Sequence, residues 1–421
     1  MEDWKEYKLG DISDIQTGPF GSQLHQCDYV DVGTPCIMPT NIGTHLDIKP
    51  EGIAHVKEED VIRLNKHCVK AGDIIYSRRG DIEKCAFISL REEGWLCGTG
   101  CLRIRINSKN VNPHFIAYQL STKESKKWIV GNAVGTTMLN LNTGILKELP
   151  LLMPDRLLQD SVVTILKSLD DKIEVNKRIN ENLEQQAQAL FKSWFVDFEP
   201  FKDQPFVESE LGMIPQGWRV VSIGELPLIV TDYVANGSFA SLKENVKLYQ
   251  EEEYAYFIRN TDLKSGYFGV FVDKHSYDFL SKSRLFGGEI IISNVGDVGS
   301  VFLCPCLNKP MTLGNNIIMV KAEEDLLNTY LYILFRWSYG QGLIQSITGG
   351  SAQPKFNKTD FKSLKLVLPS ESIISRHVSK LKSMIDVIES NKGENKRLAE
   401  LRDTLLPRLM SGELKVNDVD A

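Results

Sequence analysis

The sequence has no apolar run long enough to cross a membrane and no pattern typical of a secretory signal. A membrane span needs about 18 apolar residues in succession, whereas apolar stretches such as 287–292 and 330–335 have the length of single strands or short helices. The first residues, Met1-Glu2-Asp3-Trp4-Lys5, lack the basic start and the apolar core of a signal peptide. We therefore expect a cytoplasmic protein that makes no contact with a membrane.

Cysteine and histidine are scarce, and their spacing does not fit the common disulfide and metal frameworks. The chain has eight cysteines and seven histidines. Cys97-x3-Cys101 and Cys304-x-Cys306 lack the paired spacing of zinc sites, and no histidine cluster completes them. We expect reduced thiols, as in a cytoplasm, and no bound metal.

Motifs of catalysis are also missing. No Gly-x4-Gly-Lys-Ser/Thr loop occurs, so nothing indicates nucleotide hydrolysis. Asn112-Pro113-His114-Phe115 approaches the loop with which amino-methyltransferases hold a flipped base, but His114 breaks the motif and Asn-Pro is an ordinary helix start. Asp81-Ile82-Glu83-Lys84 could suggest a nuclease site, but the matching segment of the internal repeat is Asp297-Val298-Gly299-Ser300. We expect neither catalytic residues nor a cofactor in this chain.

Composition predicts a globular protein with an uneven charge distribution. The chain of 421 residues is 42% hydrophobic, which favours two or three domains with ordinary cores. The net charge of −6 argues against a uniformly basic nucleic-acid binder. However, residues 1–60 hold 12 acidic and 4 basic side chains, whereas residues 60–109 hold 6 acidic and 10 basic ones. The second segment could meet a polyanion, although charge alone does not decide this.

The chain repeats itself once, at an offset of about 215 residues. Trp4-x4-Leu9-Gly10-Asp11-Ile12 returns as Trp218-x4-Ile223-Gly224-Glu225-Leu226, and residues 72–81 return as residues 288–297. In each copy, short strand-like runs bounded by turn signals precede a long stretch with helical periodicity. We therefore predict an α+β fold with two β-rich domains in tandem pseudo-repeat, separated by two long helices.

Both predicted long helices carry a heptad seam with asparagines in its middle layers. The first seam holds Leu166, Ile173, Asn180, Ala187 and Trp194 at one heptad position and Val162, Leu169, Asn176, Leu183 and Leu190 at the other. The second seam holds Leu381, Ile388, Asn395, Arg402 and Leu409, with His377, Met384, Asn391, Leu398 and Leu405. Matching polar layers predict antiparallel pairing of the two helices, with a weaker end at Arg402 and Pro407. The alternative is an amphipathic helix packed on its own domain, with the asparagines at exposed edges.

The two copies agree at glycines and apolar strand positions but differ at their loop tips. Arg, Lys, Asn, Gln, Ser and Thr side chains at such tips are those that contact bases and phosphates. Different polar tips on similar scaffolds are what reading two different half-sequences would require, although any one polar loop is more often simply hydrated. The candidate DNA contacts are Gln16, Thr17, Ser22, Asn41, Arg78, Arg79, Lys84, Thr136, Thr137, Arg259, Asn260, Asn294, Asn315, Ser351, Gln353 and Lys355.

Three segments carry a resemblance to a known family. They read Leu-Phe-Lys-Ser-Trp-Phe-Val-Asp-Phe-Glu-Pro-Phe at 190–201, Ser-Glu-Leu-Gly-Met-Ile-Pro-Gln-Gly-Trp at 209–218, and Asn-x2-Leu-x2-Leu-Arg-x2-Leu-Leu-Pro-x-Leu-Met-Ser-Gly-Glu-Leu at 395–414. These segments, together with the duplication, resemble the specificity subunits of type I restriction–modification systems.

The resemblance implies two target-recognition domains, each reading half of a bipartite site in double-stranded DNA. It further implies that the helices form a spacer and dock two modification subunits, which bind S-adenosylmethionine and methylate adenine. A restriction subunit using ATP and Mg would complete the complex. The implied domains are 1–154 and 218–369, with a central helix at 155–198, a linker at 199–217, a distal helix at 370–414 and a tail at 415–421. Two alternatives remain: a DNA methyltransferase or nuclease in its own right, and a coiled-coil adaptor that binds no DNA.

Overall fold

The computed structural model describes residues 4–20, 23–135, 139–350 and 352–416. Its strands and helices give the α+β class predicted from the sequence. The chain forms two compact units, each of which we describe by itself. The first unit holds Met1–Asn176 and Gly393–Ala421, and the second unit holds Lys177–Lys392. Each unit therefore contains one copy of the strand-rich repeat together with part of both long helices.

The first unit contains two four-stranded sheets and one strand pair. Its strands are β1 Lys5–Lys8, β2 Ser13–Thr17, β3 Tyr29–Val30, β4 Thr34–Ile37, β5 Ala54–Val56, β6 Ile74–Ser77, β7 Cys85–Phe87, β8 Leu96–Cys97, β9 Cys101–Ile106 and β10 Pro150–Met153. The sheet orders are β2-β9-β6-β7 and β3-β5-β4-β8, and β1 pairs with β10. Neighbours are antiparallel except β4 and β8, which run parallel.

The second unit repeats this topology. Its strands are β11 Phe206–Ser209, β12 Gly212–Pro215, β13 Arg219–Ser222, β14 Leu228–Asp232, β15 Leu248–Tyr249, β16 Ala255–Ile258, β17 Phe271–Val272, β18 Arg284–Leu285, β19 Ile290–Ser293, β20 Val301–Leu303, β21 Met311–Leu313, β22 Ile317–Ala322 and β23 Lys365–Leu368. The order β14-β22-β19-β20 matches β2-β9-β6-β7, and β13 pairs with β23. The order β15-β17-β16-β21-β18 matches β3-β5-β4-β8 with one further strand, β18, at its edge. The additional hairpin β11–β12 lies in the segment interpreted as a linker from the sequence.

The helices include the two long ones predicted from periodicity. The shorter helices are Leu9–Ile12, Glu58–Arg63, Pro113–Ser121, Lys123–Asn132, Thr143–Lys147, Phe239–Asn245, Asn260–Ser265, Lys274–Phe279, Asp325–Arg336, Ser338–Ser346 and Lys358–Ser363. The first long helix is Arg156–Phe191, continued by a π-helical turn at Lys192–Val196. The second long helix is Ser379–Met410, preceded by Glu371–Ile373 and a π-helical turn at Ile374–Val378. No helix in the described ranges is both long and apolar enough to cross a bilayer.

Central strands are buried on both faces, which explains their continuous apolar sequence. In β6, Ile74 and Tyr76 pack into the cluster that contains helix Pro113–Ser121, whereas Ile75 packs into a second cluster on the opposite face. In β19, Ile290 and Ile292 likewise pack on the opposite side from Ile291. The two-residue alternation of strand side chains thus places each sheet between a helical layer and a second, smaller core.

In the first unit the two long helices pair in antiparallel fashion. The Asn176 side-chain amide is 1% exposed and donates to Asn395 Oδ1 at 2.9 Å and to Glu394 Oε2 at 2.7 Å. Asp170, six residues before Asn176 on the first helix, pairs with Arg402, seven residues after Asn395 on the second helix. Residue numbers therefore rise on one helix as they fall on the other. Burial of Asn176 overturns the alternative of an exposed asparagine edge.

The second unit shows the same antiparallel pairing. Asn391 donates to Asn180 Oδ1 at 2.8 Å, and Asn180 is 8% exposed. Further along, the Trp194 ring meets the His377 ring edge-on, with centroids 5.0 Å apart. Leu183 and Trp194 pack against one buried cluster, which includes Ile388 of the second helix. A buried amide pair costs stability relative to leucine but selects one register, because any shift leaves the amides unbonded.

The end of the second seam differs from the expectation that Arg402 and Pro407 weaken it. The helix continues through Pro407 to Met410, and Leu409 is 1% exposed. Arg402 is 4% exposed, and its guanidinium donates to Asp170 at 2.7 Å and to His45 Nδ1 at 2.8 Å. The seam thus holds an ion pair at this layer, where the sequence had predicted a weaker end of the seam.

Candidate nucleic-acid interface

Loops that are distant in sequence converge in the first unit. We call the residues 17–20, 78–84, 98–101, 134–135 and 139–140 loop cluster 1. The Gly18 amide donates to the Cys101 carbonyl at 3.0 Å, and the Arg78 amide donates to the Gly100 carbonyl at 2.8 Å. Arg79 forms a β-bridge with Asn140, which also bridges Val134. These backbone bonds fix the Arg78–Arg79 turn beside two other loops.

The close approach of these loops requires glycine at position 18. A Cβ atom on Gly18 would lie 2.0 Å from the Gly98 carbonyl oxygen. This distance is too short for any residue that has a side chain. Gly80 has a φ of 76°, in the left-handed region that favours glycine. The sequence Thr17-Gly18-Pro19 and the Arg79-Gly80 turn therefore serve a geometric role, and they place polar neighbours at the cluster surface.

The second unit contains the corresponding loop cluster 2, formed by residues 259–260, 294–297, 314–316, 349–350 and 352–356. The Asn294 amide donates to the Asn316 carbonyl at 3.1 Å, and the Gly296 amide donates to the Pro354 carbonyl at 2.8 Å. Val295 and Gly349 each bridge Lys355. The Asn294–Asn316 bond and the two bridges to Lys355 correspond to the Arg78–Gly100 bond and the two bridges to Asn140 in loop cluster 1. The two clusters therefore share these parts of their backbone frame and differ in their side chains.

Arg78 has an unusual setting in loop cluster 1. Its guanidinium carbon lies 4.9 Å from the centre of the Phe20 ring, and its buried Nε has no hydrogen-bond partner. Burial, and then the adjacent Arg79, lower the pKa of Arg78. Within the described ranges, no carboxylate forms an ion pair with it. Arg79 itself is exposed.

The other candidates of the first unit are less accessible. Gln16 and Thr17 lie half-buried at the end of β2, opposite Arg103 and Leu102. Lys84 pairs with Asp81 at 3.1 Å. Asn41 is 2% exposed, and its amide accepts from the Met38 backbone and donates to Lys49, so it closes a loop. Ser22, Thr136 and Thr137 lie outside the described residues.

In the second unit several candidates are held by neighbouring side chains. The Arg259 guanidinium binds both oxygens of Asp262 at 3.0 and 2.6 Å. Asn260 donates to Asp297 at 3.0 Å, and hydrogen bonds from Lys264, Ser300 and Asn260 lower the pKa of Asp297 to about 2. The Asn294 amide nitrogen donates to the Phe356 carbonyl at 3.1 Å. The exposed candidates are Asn315, Gln353 and Lys355, and Ser351 falls outside the described residues.

The basic stretch at 60–109 is partly neutralised inside the first unit. Arg103 is 4% exposed and pairs with Asp14 at 3.1 Å, and Arg105 pairs with Asp73 at 2.6 Å. Arg63 pairs with Asp60 at 2.6 Å. The charge excess of this segment is therefore not a measure of free surface charge, because fewer of its basic side chains are unpaired than the sequence suggests.

Phe20 was not among the contact residues predicted from the sequence. It follows the Thr17-Gly18-Pro19 turn, is 46% exposed and supports the Arg78 guanidinium. An aromatic residue directly after a turn signal was the available indication. Among the residues that the structure describes, no group of three or more His, Cys, Asp or Glu side chains could hold a metal ion.

Comparison with known proteins gives consistent matches over the whole chain. The family model for the type I restriction modification DNA specificity domain matches residues 1–185 and 215–400. The HindI type I restriction enzyme specificity subunit of Haemophilus influenzae is 26% identical over 482 residues, which cover 98% of this chain and 100% of the relative. The MjaIX specificity subunit of Methanocaldococcus jannaschii is 26% identical over 432 residues, with 99% and 95% covered.

A solved structure shares the fold. The crystal structure of a type I restriction–modification system S subunit from M. genitalium aligns with a TM-score of 0.57 at 16% identity, covering 96% of each chain. The two segments matched by the family model also coincide with the two copies of the repeat, which confirms the duplication inferred from the sequence.

Proposed function

Because this chain belongs to the type I restriction modification DNA specificity family, we propose that it is the DNA sequence-specificity subunit of a type I restriction–modification complex. One observation carries the proposal beyond the family. Two homologous loop clusters share three corresponding backbone contacts but present different polar side chains, Arg78 and Arg79 in one and Asn315, Gln353 and Lys355 in the other. Each cluster reads one half of a bipartite, asymmetric DNA site.

The proposed DNA contacts are candidates that are exposed or half-buried in the two units. They are Gln16, Thr17, Arg78, Arg79 and Lys84 in the first unit, and Asn260, Asn294, Asn315, Gln353 and Lys355 in the second. Ser22, Thr136, Thr137 and Ser351 stay in the proposal on sequence grounds alone. Asn41 and Arg259 are left out, because their polar groups are already bonded to Lys49 and Asp262.

The long helices set the gap between the two half-sites and dock the partner proteins. We propose two modification subunits, which bind S-adenosylmethionine and methylate adenine, and restriction subunits that use ATP and Mg. This chain contributes specificity and no chemistry. It acts in the cytoplasm, where genomic DNA is accessible. The linear division predicted from the sequence, with recognition domains at 1–154 and 218–369, remains part of the proposal.

The test is to co-express the chain with its modification subunits in a host that lacks other adenine methylation, and to map methylated adenines in the genomic DNA. The expected result is one bipartite motif with a fixed gap of unread bases. Expression of the modification subunits alone is the control and should give no motif. A coiled-coil adaptor would leave the DNA unmethylated, and the assembled complex would then show no salt-dependent retention on duplex DNA.

A further inference from the structure

We propose that Phe20 and Arg78 form one guanine-reading element in the first recognition unit, in which Phe20 is a positioning residue and Arg78 contacts the base. This inference rests on the proposed function and deepens it. Nothing in the family match assigns a role to Phe20.

The first argument is the missing counter-charge of Arg78. The other described arginines with little exposure, such as Arg103, Arg105 and Arg402, each bind a carboxylate within 3.1 Å. Arg78 is partly buried, and no carboxylate binds it in the part of the chain that the structure describes. Its Nε is buried and lacks any partner. A buried N–H group left unpaired is costly, and the rest of the guanidinium stays free to donate, so an acceptor from outside the chain is expected to complete it.

The second argument is the aromatic support. The Phe20 ring lies under the guanidinium at 4.9 Å, although the ring itself is 46% exposed and gains little from burial. Stacking on an aromatic face favours a planar cation and reduces the orientations that the long arginine side chain samples. A fixed planar fork is what bidentate contact with guanine O6 and N7 requires.

The repeat supplies an internal comparison. Because β14 pairs with β22 in the same register as β2 with β9, Ala235 corresponds to Phe20. Asn294 corresponds to Arg78, and the backbone bonds that hold these two residues are the same. The unit that lacks the cation therefore also lacks the aromatic ring. The two positions differ together between otherwise equivalent frames, as expected if they act as one element.

Guanine explains the setting better than phosphate does. A phosphate contact needs charge but little orientation, and it is served by exposed, mobile cations such as the neighbouring Arg79. Arg78 is recessed, oriented and tied to the frame through its own amide and carbonyl, which bond Gly100 and Leu141. We therefore expect a guanine in one half-site at a position that depends on both residues.

The experiment compares variants of the complete methyltransferase complex. The motif of the parent is mapped first, and binding is then measured on duplexes in which each base pair of the site is changed in turn. Arg78→Lys keeps the charge but removes the fork, and Phe20→Leu keeps apolar bulk but removes the ring. Phe20→Tyr is the conservative rescue, and Val234→Ala, next to the counterpart position Ala235, is the control in the second unit.

The proposal expects R78K and F20L to lose discrimination at the same single guanine, by about tenfold or more for R78K and about threefold to tenfold for F20L. F20Y should retain the parental discrimination, and the other half-site should be unchanged in every variant. Retained discrimination in F20L, a first half-site without guanine, or uniform weakening on all sequences with a smaller salt dependence would each overturn it. If the parent complex itself methylates no defined motif, the proposed function fails instead.

Discussion

The two neighbouring arginines of loop cluster 1 have different surroundings and should behave differently on substitution. Arg79 is exposed, and its backbone forms a β-bridge with Asn140. We expect Arg79→Ala to weaken binding to all DNA sequences to a similar degree and to lower the slope of log K against log salt by about 1, because one phosphate contact is lost. The measurement is the affinity of the assembled complex for cognate and unrelated duplexes at several salt concentrations. An unchanged slope would place Arg79 away from the phosphates.

His114 gives the first unit a defined dependence on pH. Its ring stacks on Phe87 with centroids 3.9 Å apart, and burial, followed by Lys167, lowers the pKa of His114 to about 4. The unfolded chain has a His pKa near 6.5, so it binds the proton more tightly than the folded unit does. The contribution of neutral His114 to the free energy of unfolding is therefore fully present above about pH 6.5, and it is lost as the pH falls towards 4. Between pH 7.5 and pH 5 the loss should be about 2 kcal/mol.

The matched variant for this pH effect is His114→Phe, which keeps an aromatic ring between Phe87 and Tyr118 but cannot be protonated. Chemical denaturation at both pH values should show a smaller decrease in the free energy of unfolding for H114F than for the parent. Equal decreases would mean that other groups, such as His45 and His67, account for the pH dependence, since burial lowers the pKa of both.

Residue types at the loop tips were predictable, but their availability was not. The sequence places Arg78 and Arg259 alike at the ends of strand-like runs. Only the structure shows that Asp262, three residues further on, occupies the guanidinium of Arg259 while Arg78 stays unpaired. Asn41 is polar in a loop, yet it closes that loop through Lys49. Hydrogen bonds between side chains and nearby backbone depend on loop conformation, which no periodicity encodes.

At the level of helices and strands, repetition made prediction effective. The paired layers Asn176–Asn395 and Asn180–Asn391 follow from the same heptad positions recurring at the repeat offset. Arg402 interrupts the seam in sequence, and its partner Asp170 lies 232 residues earlier. Because such a pair becomes visible only once the helices are aligned, the sequence favoured a weakened end where the structure has a buried ion pair.

Removing one partner of the Arg402–Asp170 pair should lower the free energy of unfolding more than replacing both partners by apolar residues. Arg402→Ala removes a buried guanidinium and leaves the half-buried Asp170 carboxylate without its cation, so we expect the free energy of unfolding to fall by about 2 kcal/mol. The double variant Asp170→Ile/Arg402→Ala copies the apolar pair Ile385 and Ala187 found at the repeat positions. It should recover most of that loss.

The control for the ion pair is Arg408→Ala on the same helix. Arg408 pairs with Glu413 at 3.5 Å, and both side chains are largely exposed, so the expected change is below about 1 kcal/mol. Urea denaturation of the four proteins gives the comparison. A double variant as unstable as R402A would show that apolar packing cannot substitute at this layer.

For the whole molecule, separate recognition units predict separable specificity. Each loop cluster is held by backbone bonds within its own unit. Exchanging residues 10–145 for those of a relative with another target should therefore change one half-site and leave the other intact. Methylation mapping of the chimaera is the measurement. Simultaneous loss of both half-sites, with the helical content retained, would contradict independent reading.

A second prediction for the whole molecule concerns the gap between the half-sites. The first long helix has 36 residues, or roughly 54 Å at about 1.5 Å per residue. Inserting four residues after Asn176 and four after Lys392 keeps each asparagine layer paired, because each layer belongs to one unit. The added turn of about 6 Å corresponds to one or two base pairs at about 3.4 Å per base pair. We expect the same half-sites with a gap longer by that amount.

The outcome of the insertion is also read from methylation maps. Inserting four residues after Asn176 alone shifts Asn176 and Asn180 out of register with their partners, so this control should lose stability. If the matched variant kept the original gap, or acquired new half-sites at the old gap, the helices would not determine the spacing.

The ion pair between the long helices has a consequence for how such a gene can change by recombination. A chain built from two copies of the first half would set Asp170 opposite Ala187, and one built from two copies of the second half would set Arg402 opposite Ile385. Either product would leave one charge of the pair without its partner, and the cost would be larger for the buried Arg402 than for the half-buried Asp170. Recombination of loop segments leaves the Asp170–Arg402 pair unchanged, whereas duplication of one half removes one partner of the pair and lowers stability. This single layer of side chains therefore favours chains that combine one half of each kind.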